Sequence, residues 1–248
     1  MTNRLEAKGI SKAFGEKKVL KDVNLYLAEG EIISLLGVSG VGKSTLFHIL
    51  SGLLQPDSGR VLLAGEDVTG ITGRIGYMQQ KDLLLPHKKI ADNIALPLVL
   101  RGMNKKQARK KVEEGLRAFG LEGTADVYPN QLSGGMRQRA ALYRTYLFGG
   151  RAALLDEPFS ALDAITKTQI HQWYLKVMSR IKLSTIFITH DVDEAILLSD
   201  RIYIMAGSPG TIVQEMHIDA PRPRETMFTA SPEFMEHKRQ ILTALQIE

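Results

Sequence analysis

The stretch Glu31-Ile-Ile-Ser-Leu-Leu-Gly37-Val-Ser39-Gly40-Val-Gly42-Lys43-Ser44-Thr45 decides how the rest of the chain is read. Glu31–Leu36 is a compact, β-rich apolar run, which predicts a buried strand. A glycine-dense turn follows. Then Ser44–Leu50 places Leu46, Phe47, Ile49 and Leu50 at helical spacing, with Gly52 and Pro56 closing the segment. Strand, glycine turn and helix in that order give G-x-x-x-x-G-K-[S/T] the context it requires. Glycines let successive backbone N–H groups converge on an anion, and the helix N-terminus adds its dipole. Lys43 can neutralise β- and γ-phosphates, and the Ser44 hydroxyl can ligate Mg²⁺. Gly37, Ser39, Gly40, Gly42, Lys43, Ser44 and Thr45 are therefore candidate triphosphate-binding residues. A glycine-rich turn with an incidental lysine would not need a strand before it, a helix after it and Ser-Thr in register. The guanine-selecting pattern Asn-Lys-x-Asp is missing, since Asn104-Lys105-Lys106-Gln107 lacks the aspartate, so ATP is preferred over GTP.

Outward from this loop, Arg4–Glu29 alternates loosely and reads as two or three short strands punctuated by Gly15 and Gly30. Arg60–Ala64 and Arg74–Met78 read as strands. From Pro86 to Phe119 the pattern is helical, with Ala108, Val112, Leu116 and Phe119 about one turn apart in Lys105–Gly120. Ala152–Leu155 is a second buried strand, Ala164–Arg180 a helix, Thr185–Thr189 a third strand and Asp191–Leu198 a further helix. Strands alternating with helices predict an α/β fold on a mainly parallel sheet. The stretch Ala220–Arg224, rich in proline and arginine, predicts a loose, extended C-terminal segment.

The 248 residues carry 32 Lys and Arg against 27 Asp and Glu, a net charge of +5. That surplus permits contact with a membrane surface or nucleic acid without demanding either. There is no cysteine, which excludes disulfides, thiolate zinc sites and a thiol nucleophile. No run approaches the ~18 apolar residues of a membrane span; Ser44–Pro56 and Ile202–Gln214 are the best uncharged stretches, and both are too short. Met1–Ile10 has no apolar core and is not a secretory signal. The expectation is a cytosolic protein that serves any membrane from outside the lipid.

Ala152-Ala-Leu-Leu-Asp156-Glu157-Pro158 is an apolar strand ending in two carboxylates. Neighbours on an extended chain point to opposite sides, so one can reach the Mg²⁺ shell while the next reaches a water; the pattern is Asp156 for the metal and Glu157 as general base. An exposed acidic pair at a strand end is the bland alternative. Leu132-Ser133-Gly134-Gly135-Met-Arg-Gln-Arg139 starts a helix, where Ser133 can act as a plain N-cap. A serine and two glycines there also bare backbone amides as a second anion site. About ninety residues lie between it and Lys43, so local spacing does not join the two.

Together these motifs resemble the nucleotide-binding subunit of an ATP-binding cassette (ABC) transporter over nearly the whole chain. Leu-Ser-Gly-Gly-Met-Arg-Gln-Arg is the most specific of them. The resemblance implies a single ATPase domain over residues 1–248. It would have a P-loop NTPase core, an N-terminal antiparallel β subdomain, a helical subdomain near 85–145 and a C-terminal tail over 219–248. It places Gln80 as a Mg²⁺-sensing glutamine, with Gln79 its neighbour. Asp163 in Ser160-Ala-Leu-Asp163 becomes a dimer contact, His190 a switch histidine at the γ-phosphate, and Phe14 the aromatic that stacks on adenine. Phe14 could instead be a packed strand aromatic, and His190 could merely precede a helix with a capping box from Asp191 to Glu194. The chain departs from the family where small residues are usual after Arg139, having Tyr143, Thr145 and Tyr146 there. Gly149-Gly150-Arg151 likewise stands in place of a proline-containing link.

The resemblance further implies a homodimer in which Lys43 of one cassette and Ser133, Gly134 and Gly135 of the other close on one ATP. The dimer would drive transmembrane permease subunits docked near Gln80–Pro86, at the cytoplasmic face of the cell membrane, with a separate solute-binding protein and no nucleic acid. The finer likeness is to importers of the nitrate/sulfonate/taurine type, including carriers of a thiamine-precursor pyrimidine. Asp-Glu-Pro-Phe-Ser-Ala-Leu-Asp, Thr-His-Asp-Val-Asp-Glu-Ala, Gly-Ser-Pro-Gly and Ala-Pro-Arg-Pro-Arg carry it, and the 58 residues after His190 leave no room for a sizeable regulatory domain. A soluble ABC ATPase acting on DNA or ribosomes would generally carry two cassettes or coiled-coil insertions. A P-loop kinase would leave Leu132–Arg139 unexplained. Lys105–Lys111 reads as a solvated helix face or a lipid-headgroup contact.

Overall fold

The computed structural model describes residues 3–149, 152–160, 163–222, 224 and 226–245. Strands β1 (Asn3–Phe14) and β2 (Lys17–Ala28) form one hairpin around Gly15. They are two long strands rather than several short ones, because register shifts absorb the breaks in alternation while Leu5, Ala7, Ile10, Val23, Leu25 and Leu27 stay buried. Next come β3 (Ile32–Gly37), α1 (Lys43–Leu50), β4 (Ser58–Leu63), β5 (Glu66–Asp67) and the three-residue β6 (Gly76–Met78). The helical part follows: α2 (Ile90–Leu100), α3 (Lys105–Gly115) and α4 (Gly134–Leu147), with a 3₁₀ turn at Leu116–Phe119 where one continuous helix was expected. The chain then runs β7 (Ala152–Asp156), α5 (Ala164–Ile181), β8 (Ser184–Thr189), α6 (Val192–Leu198), β9 (Arg201–Ala206), β10 (Thr211–His217) and α7 (Pro232–Ala244).

An antiparallel sheet has the order β2-β1-β4-β5, and a second sheet has the order β10-β9-β3-β8-β7-β6, parallel except for β10. This is the expected P-loop α/β fold. The parallel strands are apolar at successive positions because both faces are covered. Ile33, Leu35, Leu154, Ile186, Tyr203 and Met205 pack with the antiparallel sheet and α1, whereas Ala153, Leu155 and Phe187 pack with the helical layer. A third cluster joins Leu36, Ile202 and Ile204 to α6 and α7. Every βα connection that carries a motif leaves the carboxyl end of a parallel strand, where ligands gather in such sheets. The sequence reading placed no strand at β9 or β10, the Ile202–Gln214 run.

The C-terminal stretch is not loose. Arg224 is 3% exposed. Its guanidinium donates to the carbonyls of Ile196 (2.9 Å), Leu197 (3.1 Å) and Ser199 (2.6 Å), and to those of Ile218 and Ala220, so it finishes α6 from outside. Burial pulls its pKa down to about 10, with Asp200 opposing. Arg222 clasps Asp200 at 2.6 and 2.7 Å, and Phe234 and Ile241 bury α7. Pro223 of this stretch lies outside the described residues, as do Gly150 and Arg151 of the link noted above. Arg224→Ala strips five carbonyls of their donor and lowers stability by about 3 kcal/mol. A fall of the urea midpoint at constant slope measures it.

Tyr143, unusual for its position, is accommodated by packing. Its ring stacks on Phe119 with centroids 4.1 Å apart, and its hydroxyl donates to Val112 O at 3.2 Å. A Cβ on Gly115 would lie 2.0 Å from that hydroxyl. Thr145 donates to Ala141 O within its own helix. On α3, Arg109 turns to Asp92, Glu113 and Asp126.

Candidate nucleotide site

A cleft of about 880 Å³ opens at the carboxyl ends of β3 and β8. Val38, Ser39, Gly40, Val41, Gly42, Lys43, Ser44 and Thr45 form its floor, and Gln80, Glu157 and His190 stand at one side. Gly40 and Gly42 have φ of 82° and 109°, the left-handed region that side chains disfavour. Gly42 also passes close to β2, since a Cβ there would meet Leu20 Cδ2 at 2.7 Å. Lys43 is 7% exposed and donates to Gly37 O at 2.7 Å and Val38 O at 2.9 Å. Burial lowers its pKa, against the pull of Glu157 and Asp156. The motif therefore folds as a tight loop wrapped on its own lysine.

Asp156 ends β7. Tyr77 Oη donates to its Oδ2 at 3.2 Å. Burial raises the Asp156 pKa, the neighbouring Glu157 adds to this, and the Tyr77 hydrogen bond with the charges of His48 and Lys43 opposes it. Burial first, then Asp156, also pushes the Tyr77 phenol up. Asp156 does not line the cleft, although its charge is felt at Lys43. Glu157 has φ 43°, a left-handed conformation costing about 1–2 kcal/mol in a non-glycine residue. Its N–H donates to Ile188 O (3.1 Å), and its carbonyl accepts from Ser160 N (3.2 Å) and Ser160 Oγ (3.0 Å). This hooked backbone, rather than strand alternation, separates the two carboxylates. Glu157 Oε2 accepts from Gln80 Nε2 at 3.1 Å, and Glu157 Oε1 lies 3.2 Å from His190 Nδ1. Gln80 Nε2 also reaches Ser160 Oγ at 3.3 Å. Gln80, not Gln79, is thus the glutamine at the carboxylate.

His190 is exposed at the end of β8. Asp191 caps α6 by accepting from Glu194 N. The reciprocal half of the expected capping box is missing, because the Glu194 carboxylate turns inward to His171 Nε2 (2.8 Å) and Thr189 Oγ1. Phe14, at the tip of β1, is 52% exposed and so is not a packed strand aromatic. It pairs with Lys17, which lines the cleft with Lys18 and Val19.

Ser133, Gly134 and Gly135 are elsewhere. Ser133 Oγ accepts from Met136 N at 3.3 Å at the start of α4, and none of the three lines the cleft. Gly134 borders a neighbouring cavity with Gln80, Asp82, Arg137 and Glu157. Asp163 caps α5, accepting from Thr166 N (3.0 Å) and Thr166 Oγ1 (2.6 Å); Ala161 and Leu162 before it lie outside the described residues. Sequence reasoning missed Tyr77 and missed Gly207, Ser208 and Gly210 as a cleft wall. The Gly207-Ser-Pro-Gly210 spacing was visible and signalled the turn: a Cβ on Gly210 would sit 2.0 Å from Val41 O.

Residues 20–160 match the family described as ABC transporter. The chain is 41% identical over 224 residues to the formylaminopyrimidine import ATP-binding protein of Halalkalibacterium halodurans, covering 90% of this chain and 86% of the relative. It is 43% identical over 216 residues to an aliphatic sulfonates import ATP-binding protein of Xanthomonas axonopodis pv. citri, covering 86% and 85%. Two solved structures of one cassette superpose on it over 88% of this chain and all of theirs. The dimeric structure does so with TM-score 0.74 at 30% identity, and the dimeric post-hydrolysis state bound to ADP and phosphate with 0.73 at 31%. The chain belongs to the ABC transporter family. Within that family it is an ATP-binding subunit that hydrolyses ATP. Among the described residues, no helix is long and apolar enough to cross a membrane.

Proposed function

We propose that two copies of this chain associate head to tail, each closing the other's nucleotide cleft, and that ATP turnover in the pair drives an importer. The start of α4 carries this reading: Ser133 is exposed and Gly134 partly so, none of Ser133, Gly134 and Gly135 lines the Lys43 cleft, and this supports their serving a second molecule's phosphates rather than their own. In each cleft Lys43 turns from its loop carbonyls to the triphosphate, Phe14 stacks on the base, Glu157 accepts the proton of the attacking water, and Gln80 and His190 hold that carboxylate in position. Closing excludes water and reopening follows hydrolysis. Asp163 contributes to the contact between copies.

Ser44, Asp156 and Gln80 suit Mg²⁺. They offer hydroxyl, carboxylate and amide oxygens, the hard donors this ion takes alongside phosphates. Gln80 gives its Nε2 to Glu157 and Ser160, which leaves its Oε1 for other partners. When bound, the ion neutralises phosphate charge.

The cassette would sit at the cytoplasmic face of the membrane against permease subunits near Gln80–Pro86, served by a separate solute-binding protein. The cargo would be a small anion or related solute, a sulfonate, taurine, nitrate or a thiamine-precursor pyrimidine; relatives named for formylaminopyrimidine and aliphatic sulfonates import support this range. The test saturates Glu157→Gln with ATP and weighs the particles by light scattering. A doubled mass supports the pair; single protomers, even with permease present, overturn it. Melting shifts of the copurifying binding protein with those solutes then identify the cargo.

A further inference from the structure

We infer that Asp57, in the loop before β4, is a positioning residue for nucleobase recognition, acting through Ala13 and Lys12 on the ring of Phe14. The inference rests on the reading of Phe14 as the base platform. That ring has little of its own to hold it. It is half exposed at the last pair of a hairpin, beside Gly15 with φ 59°. The strand leading to it is irregular, with register shifts between Ile10 and Lys12 and between Lys12 and Ala13. A ring on such a tip would sample many orientations, and each would have to be frozen when a base stacks.

Asp57 supplies the missing restraint on three consecutive residues. Its N–H donates to Ser11 O at 2.9 Å. Its Oδ1 accepts from Lys12 Nζ at 2.7 Å, and its Oδ2 accepts from Ala13 N at 2.6 Å. These bonds hold its carboxyl below the usual carboxylate range, the Lys12 bond most strongly. Lys12 lies two residues before Phe14 and, across the irregular register between them, its side chain reaches the ring. The Lys12 side chain is only 14% exposed, and its ammonium lies 5.6 Å from the Phe14 ring centroid. Asp57 therefore fixes the backbone entering Phe14 and parks a cation against the ring. A cation on one face draws π density to itself, which favours an electron-rich base on the other. Asp57, Lys12 and Phe14 itself all lie outside the lining of the Lys43 cleft, so the three act together on a base that reaches the hairpin tip rather than on the phosphates in the loop.

The experiment measures binding of ATP and of inorganic tripolyphosphate to the full chain by calorimetry. It uses Asp57→Asn, Lys12→Gln and Phe14→Ala, each checked for an unchanged melting temperature. Asp57→Asn and Lys12→Gln weaken ATP by about 3- to 10-fold and leave tripolyphosphate within about 2-fold. Phe14→Ala weakens ATP by about 5- to 100-fold with the same selectivity. Equal loss of both ligands in Asp57→Asn marks a general structural effect and overturns the inference. So does unchanged ATP binding in Asp57→Asn when Phe14→Ala is impaired, an outcome that leaves the platform reading standing. Unchanged ATP binding in Phe14→Ala removes the platform reading itself.

Discussion

Glu157→Gln loses ATP turnover by a factor of about 10²–10⁴ while ATP affinity stays near that of the parent. The amide is isosteric and can still accept from Gln80 Nε2, but it cannot take a proton from water. Its backbone role survives, because the hooked conformation is held by Ile188 O and Ser160, not by the side chain. Removing the negative charge also lifts its repulsion with the phosphates, so bound nucleotide is retained. Phosphate release from the assembled complex and a parallel ATP titration measure the two quantities. Turnover above a tenth of the parent's would take the general-base role away from residue 157.

Lys43→Ala and Ser133→Arg each abolish turnover alone, by about 10²–10³ or more, yet a mixture of the two regains it. The first variant removes the ammonium proposed to face the phosphates, and the second replaces the Ser133 cap of α4 with a bulky charge. When Lys43 and Ser133 of different copies serve one nucleotide, a mixed pair holds one intact site and one doubly damaged site. Random pairing then restores about a quarter of the parent's sites. When both residues serve one nucleotide within a chain, every site in the mixture stays damaged. Phosphate release across mixing ratios decides between the two, and a flat, inactive profile overturns the paired arrangement.

The strand, tight glycine loop and helix from β3 to α1 were legible in advance because their signals are local. Gly37 to Thr45 are contiguous, and loop, lysine and helix start can be derived from spacing alone. The apolar runs at β3, β7 and β8 were equally plain, since both faces of each strand are covered. What escaped was non-local. Tyr77 reaches Asp156 across 79 positions of chain, and a tyrosine on a three-residue strand carries no signal of its own. The β9–β10 hairpin borders the cleft through Gly207, Ser208 and Gly210, yet its sequence was read as an uncharged run and a family trait, not as strands or a cleft wall. Arg224 looked like part of an extended tail because an arginine among prolines usually faces water; here unpaired carbonyls at the end of α6 outweigh the cost of burying it. The separation of the two carboxylates was anticipated for the wrong reason, as β7 ends at Asp156 and the left-handed turn at Glu157 does the work.

The Tyr143 hydroxyl occupies the space in which any side chain at position 115 would begin. A side chain at either site therefore constrains what fits at the other. A sequence library that randomises both will yield folded clones with glycine opposite tyrosine, or with a methyl group opposite a shortened partner such as leucine, and will be depleted of alanine with tyrosine. Anyone grafting this helical layer onto another cassette must carry the two residues across together.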